Sequence, residues 1–151
     1  MAASVEFHTG LPEPLAYAAR LLRKAYGRGM TVLCLAPPAR LEALDRLLWT
    51  FVEREFIPHV RQAGTAAAVL KRTPIWLAAA WSPSSDAGGA AREVVLNLGG
   101  ELAPGDAGDA RVIELVGADA DEAERGRAAW RRYKAAGIEI VHHPFGAASE
   151  G

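Results

Sequence analysis

The chain has 151 residues, 50% of them hydrophobic and 23% charged, and its 17 basic residues are balanced by 18 acidic ones to a formal net charge of −1. That length suits one domain with a core that needs no staples, and the mix argues against disorder. The charge balance argues against a chain that wraps a nucleic-acid backbone, and the single cysteine, Cys34, excludes an intramolecular disulfide and a cysteine zinc cluster.

In chain order, Ser4 to His8 has strand-type composition and Thr9-Gly10 is a turn signal. Pro12 and Pro14 open a helix over 14–27, with Leu15, Ala18, Ala19, Leu22 and Ala25 at helical spacing and Gly27 and Gly29 ending it. The apolar run Thr31 to Ala36 predicts a strand covered on both faces. After Pro37-Pro38, the spacing of Leu41, Leu44, Leu48 and Phe51 predicts a helix over 39–53. Ile75 to Ala78 and Val94 to Leu98 read as strands, with a loop at 82–91 between them and another at 99–110. Arg111 to Val116 is a strand, Asp119 to Ala136 the longest helix, and Ile138 to His142 the last strand. Acidic residues open that long helix and basic ones close it, as the helix dipole favours. The expected class is α/β, a single Rossmann-like domain over 1–145 with a largely parallel sheet flanked by helices and a frayed tail at 146–151.

The search for chemistry is mostly negative. The turn after the first strand reads HTGLPEP, with neither of the glycine-rich phosphate fingerprints, so no nucleotide cofactor is expected. Cys34 lies inside an apolar strand and reads as a core residue. His142 and His143 are neighbours on a strand, so they face opposite ways and cannot chelate together. No metal is expected. Without an apolar span or a leader pattern at the N-terminus, the expected compartment is the reducing cytoplasm.

Two segments carry a signal. On the long helix, Arg127, Trp130, Arg131 and Lys134 share one face, while Gly126, Ala129, Tyr133 and Ala136 form a packing face. An aromatic ring among three cations suits a ligand both apolar and acidic, because Arg grips a carboxylate through two hydrogen bonds. The bland alternative is a solvated basic helix end with a Trp closing the core. The second segment is Leu47 to His59, in which Trp49, Phe56 and Pro58 stand at a helix exit. These aromatics are either core or an anchor for a partner protein.

At these segments the sequence resembles the chi subunit of bacterial DNA polymerase III holoenzyme. The resemblance rests on Leu48-Trp49, then Phe56-Ile57-Pro58-His59, and on R-x-x-W-R-x-Y-K-x-x-G from Arg127 to Gly137. It implies a Rossmann-like fold that binds no nucleotide and a non-catalytic accessory subunit of the clamp-loader assembly. It also implies two partners. The psi subunit, or an equivalent, would sit on Trp49, Phe56 and Pro58. The acidic, Pro-Phe-ending C-terminal tail of single-stranded DNA-binding protein would sit on Arg127, Trp130 and Arg131, with Lys134 near its acidic residues. Arg127 would grip the terminal carboxylate and Trp130 would wall the pocket for the terminal Phe. DNA is then reached only through a protein. Two rivals remain at this point. One is a small α/β enzyme clamping an acidic metabolite with Arg127 and Arg131, using His142 or His143 as base. The other is a direct single-strand binder stacking bases on Trp130.

Overall fold

A computed structural model describes residues 4–50, 56–82 and 92–146. The elements are β1 (Ser4–Leu11), α1 (Pro14–Gly27), β2 (Val32–Leu35), α2 (Pro38–Thr50), β3 (His59–Arg61), α3 (Ala67–Arg72), β4 (Ile75–Ala78), β5 (Val94–Asn97), β6 (Arg111–Gly117), α4 (Ala120–Ala135) and β7 (Glu139–Pro144). The strands form one seven-stranded sheet in the order β3-β4-β2-β5-β6-β1-β7, with every pairing parallel. This is the expected α/β, Rossmann-like arrangement. The last residues of the expected second helix (51–53), most of the 82–91 loop and the tail beyond Gly146 lie outside the described residues. No described helix is long and apolar enough to cross a membrane.

Packing follows the apolar spacing. All four residues of β2 are buried, because helices lie on both sides of it. Ala18, Ala19 and Leu22 of α1 and Leu41, Leu44 and Leu48 of α2 pack with Val32, Cys34, Ile75, Leu77 and Leu96 on one face. Burial there pushes the Cys34 thiol up to about 12, so it is a core residue and no nucleophile. On the other face Ala129 and Tyr133 of α4 pack with Val5, Phe7 and Val116. Gly126 lets α4 approach β6 this closely, since a Cβ there would lie 2.7 Å from Val116 Cγ1. Ala136, expected on that packing face, is exposed because it lies past the last helical residue, at the cap.

Two elements were not expected. β3 is a three-residue edge strand paired only with β4, and α3 is a six-residue helix with no buried residue. β1 also runs on to Leu11 through the anticipated turn. Gly10 takes φ +68°, and the register with β6 is irregular between His8 and Leu11. The strand is therefore bent where the turn signal stands, without being ended.

A buried polar network fastens α4 to the sheet. Glu114 is 1% exposed. Asn97 Nδ2 donates to its two oxygens at 3.2 and 3.0 Å, and the Tyr133 hydroxyl donates to Oε2 at 2.8 Å. Burial outweighs these donors and raises the Glu114 carboxyl above its ordinary 4.5. The folded protein then binds this proton more tightly than the unfolded chain. The associated stability is complete below 4.5 and is lost as pH rises through the folded-state value. Urea unfolding at stepped pH should show stability falling across that window, and a flatter slope in Glu114→Gln. A slope unchanged in the variant would assign the effect to other groups.

Candidate functional site

Chain direction creates the setting. The chain leaves β1 for α1 on one face and leaves β6 for α4 on the other, so the carboxyl ends of these neighbouring strands form a topological switch point. The Ala118 N–H donates to the Leu11 carbonyl at 2.9 Å across it. Beside it, under α4, lies a cavity of about 320 Å³ lined by Phe7, Gly10, Val116, Ala118, Gly126, Arg127, Trp130 and His142, among others. That size is at the lower end of small-ligand pockets, about 300–1,000 Å³. The lining is mostly apolar, with one guanidinium at its rim.

α4 places that guanidinium. Asp119 caps the helix by accepting from the Glu122 N–H at 2.8 Å. Glu122 turns back to accept from the Gly117 N–H at 3.1 Å and from Arg125 at 3.0 Å, and Arg40 stands 3.3 Å away. Desolvation opposes ionisation there, and the donors overcome it, so Glu122 lies below its ordinary range. The helix start is therefore held rigidly to the ends of β6 and α2. Two turns on, Trp130 packs its ring 5.1 Å from Phe7 and 5.2 Å, edge to face, from His142. His142 Nε2 shares a 2.7 Å hydrogen bond with the Thr9 hydroxyl. The wall is thus three strands and a helix deep in the chain's ordering, joined only by the fold.

The four residues expected on one helix face do share it, but not one cavity. Arg127 and Trp130 line the pocket, whereas Arg131 and Lys134 are exposed farther along α4 and do not. Lys134 stands about 10 Å from Arg127 along the helix axis. Trp130 is half-buried, as expected. Sequence reasoning missed Glu124. Arg127 Nη2 donates to Glu124 Oε1 at 2.7 Å, and Arg131 Nη2 lies 3.8 Å from its other oxygen. The Arg127 guanidinium holds the Glu124 carboxyl below its ordinary range. Helical spacing of three and seven residues was the available signal. The residue thus already pairs with the guanidinium at the cavity rim.

The family model for "DNA polymerase III chi subunit, HolC" matches residues 2–141. The chain belongs to the chi subunit family. It is accordingly an accessory, non-catalytic subunit of DNA polymerase III, and the enzyme reading of Arg127, Arg131 and the histidines falls. A comparison with curated proteins finds no match. In this chi-family chain a second feature lies by the exit of α2. Trp49 and Phe56 are 57% and 58% exposed, and their rings stack 5.3 Å apart at 34°. They lie on the surface and are no part of the core. Trp49 also rests 5.0 Å from His59, which is buried between the Ile57 carbonyl (2.7 Å) and the Asp45 carboxylate (2.9 Å). Pro58 stands half-buried between Ile57 and His59. Exposed Tyr26 and Phe56 share a further cleft with Ile57.

Proposed function

We propose that this subunit couples DNA polymerase III to single-stranded DNA-binding protein by holding that protein's C-terminal tail in the cavity beside Arg127 and Trp130. The observation that carries the reading is the union of an apolar cavity of about 320 Å³ with an exposed guanidinium at its rim. An apolar ring that ends a chain brings a carboxylate with it, and this pair of features complements both. Arg127 takes the terminal carboxylate, and Trp130, backed by Phe7 and His142, walls the ring. Arg131 and Lys134 lie outside the cavity along α4, where acidic residues preceding the terminus would run. The balanced charge of the chain agrees with reaching DNA through a protein.

The stacked Trp49 and Phe56, with Pro58, form the surface for the clamp-loader side, the psi subunit or its equivalent. Large aromatics presented in the open are where interface energy concentrates. Phe56→Ala should weaken that assembly and leave tail affinity unchanged.

The decisive experiment is fluorescence anisotropy with two labelled peptides. One is an acidic nonapeptide ending in Asp-Phe-Pro-Phe with a free carboxylate, and the other is its amide. The free acid should bind and the amide bind much more weakly. Equal binding would remove Arg127 from its role, and binding of neither would reject the tail site. Glu124→Gln supplies a test of opposite sign. It frees Arg127 and Arg131 of their internal carboxylate and removes a like charge from the path of the tail. The affinity should rise by roughly two- to fivefold, the scale of one screened surface charge. A loss of affinity in Glu124→Gln would mean that Glu124 positions Arg127 for binding and does not compete with the ligand.

A further inference from the structure

The sheet face opposite the Arg127 cavity gathers a second set of functional groups. Glu6 and His8 are two apart on β1 and so point the same way. His143 of β7 lies beside His8 in the parallel register. The Nε2 of His8 is 3.6 Å from Glu6 Oε1, and the Nε2 of His143 is 3.9 Å from the same oxygen. All three ligand atoms lie within 4.8 Å of one another.

Neither spacing is a hydrogen bond. The Nε2 of His8 is buried and has no hydrogen-bond partner among the described residues, and such a group calls for an explanation. Its other ring nitrogen is hydrogen-bonded to the Tyr17 hydroxyl, which fixes the ring. Glu6 is fixed as well. Arg111 Nε donates to its Oε2 at 2.6 Å and Nη2 to its Oε1 at 3.0 Å. Oriented rings and hydrogen-bonded carboxylates are what outer partners provide at metal centres. Ligand atoms about 2.0–2.2 Å from a tetrahedral ion stand roughly 3.4 Å from each other. Two of the spacings here are within about half an ångström of that. The third is no more than 4.8 Å, and His143, whose side chain is 40% exposed, is the ligand least held by its surroundings.

We propose that Glu6, His8 and His143 form a three-ligand site for a divalent transition-metal ion. Two imidazoles and one carboxylate suit zinc and its neighbours, and not calcium or magnesium, which favour all-oxygen sites. His8 and His143 also line a cleft of about 360 Å³ against α1, which leaves the fourth position accessible. The ion would join the edge strand β7 to β1.

The test is zinc titration of the full-length, tag-free chain by calorimetry, with thermal unfolding and histidine-ring NMR alongside. One zinc per chain is expected, with the His8 and His143 ring signals moving and the unfolding midpoint rising with zinc. His143→Ala and Glu6→Gln should each weaken binding by tenfold or more and abolish the zinc-dependent rise. His143→Ala removes a partly exposed side chain, so it keeps the test sound if His8→Ala fails to fold. His142→Ala, on the opposite face, should bind zinc as the parent does. The proposal is overturned by absence of saturable zinc binding, or by binding that survives His143→Ala.

Discussion

Replacing Arg127 with alanine should weaken binding of the tail peptide by about ten- to one-hundredfold and leave folding nearly unchanged. Hydrogen bonds to a charged group contribute about 1.5–3 kcal/mol, and each 1.4 kcal/mol is a factor of about ten. The Arg127 side chain is 61% exposed and its partner in the free protein is the equally exposed Glu124, so its removal opens no core and strands no buried charge. Arg127→Lys should recover part of the loss, since it keeps the charge and loses the fork that matches a carboxylate. Added salt should weaken the wild type more than Arg127→Ala, because the ionic share of the binding is what screening removes. Wild-type affinity in Arg127→Ala would sink the site. A loss of the same size with the amidated peptide would move Arg127's role from the carboxylate to the acidic residues before it.

Half of this site is visible in the sequence, and the division has a physical cause. Arg127, Trp130 and Arg131 come together through the period of one helix, which any reader of the sequence can count. The opposite wall, Phe7, Thr9 and His142, comes from β1 and β7, and the Thr9–His142 bond spans 133 positions. Nothing local says that these parallel strands lie side by side. The same holds for Glu6, His8 and His143. The adjacency of His142 and His143 correctly implies opposite faces, yet His143's partner is on a strand at the other end of the chain. Elements follow a similar rule. The β2 run and the long α4 declare themselves because their burial patterns are long and regular. β3 and α3 do not. Three residues are too few to show alternation, and α3 has no buried face and is held through Leu70, which only partly packs against Trp76 and its neighbours.

That weakly marked region hangs on Trp76, and Trp76→Ala should be among the most destabilising single changes in the chain. The indole is 1% exposed and packs with Leu33, Leu35 and Val95 under the sheet. Its N–H donates to the Leu70 carbonyl at 2.9 Å, which ties α3 to β4. The Arg92 guanidinium lies 3.7 Å over the ring and donates to the Thr73 and Pro74 carbonyls. Burial already lowers Arg92 to about 10, and without the ring that cation loses its stacking partner. Truncating a buried aromatic costs about 3–5 kcal/mol, which for a chain of this size lowers the unfolding midpoint by roughly 6–20 °C. Trp76→Phe keeps most of the packing and should fall between. Trp76 stands on β4, next to the β3 edge, whereas the Arg127 cavity lies by β1, β6 and β7 towards the other edge. Among the described residues, none that lines the cavity packs in the Trp76 cluster, so their effects should add. Measured well below its midpoint, Trp76→Ala should bind the tail peptide as the wild type does. A tail affinity that fell with Trp76 in the folded variant would show the two halves of the sheet to be coupled, and the cavity beside Arg127 would no longer explain binding alone.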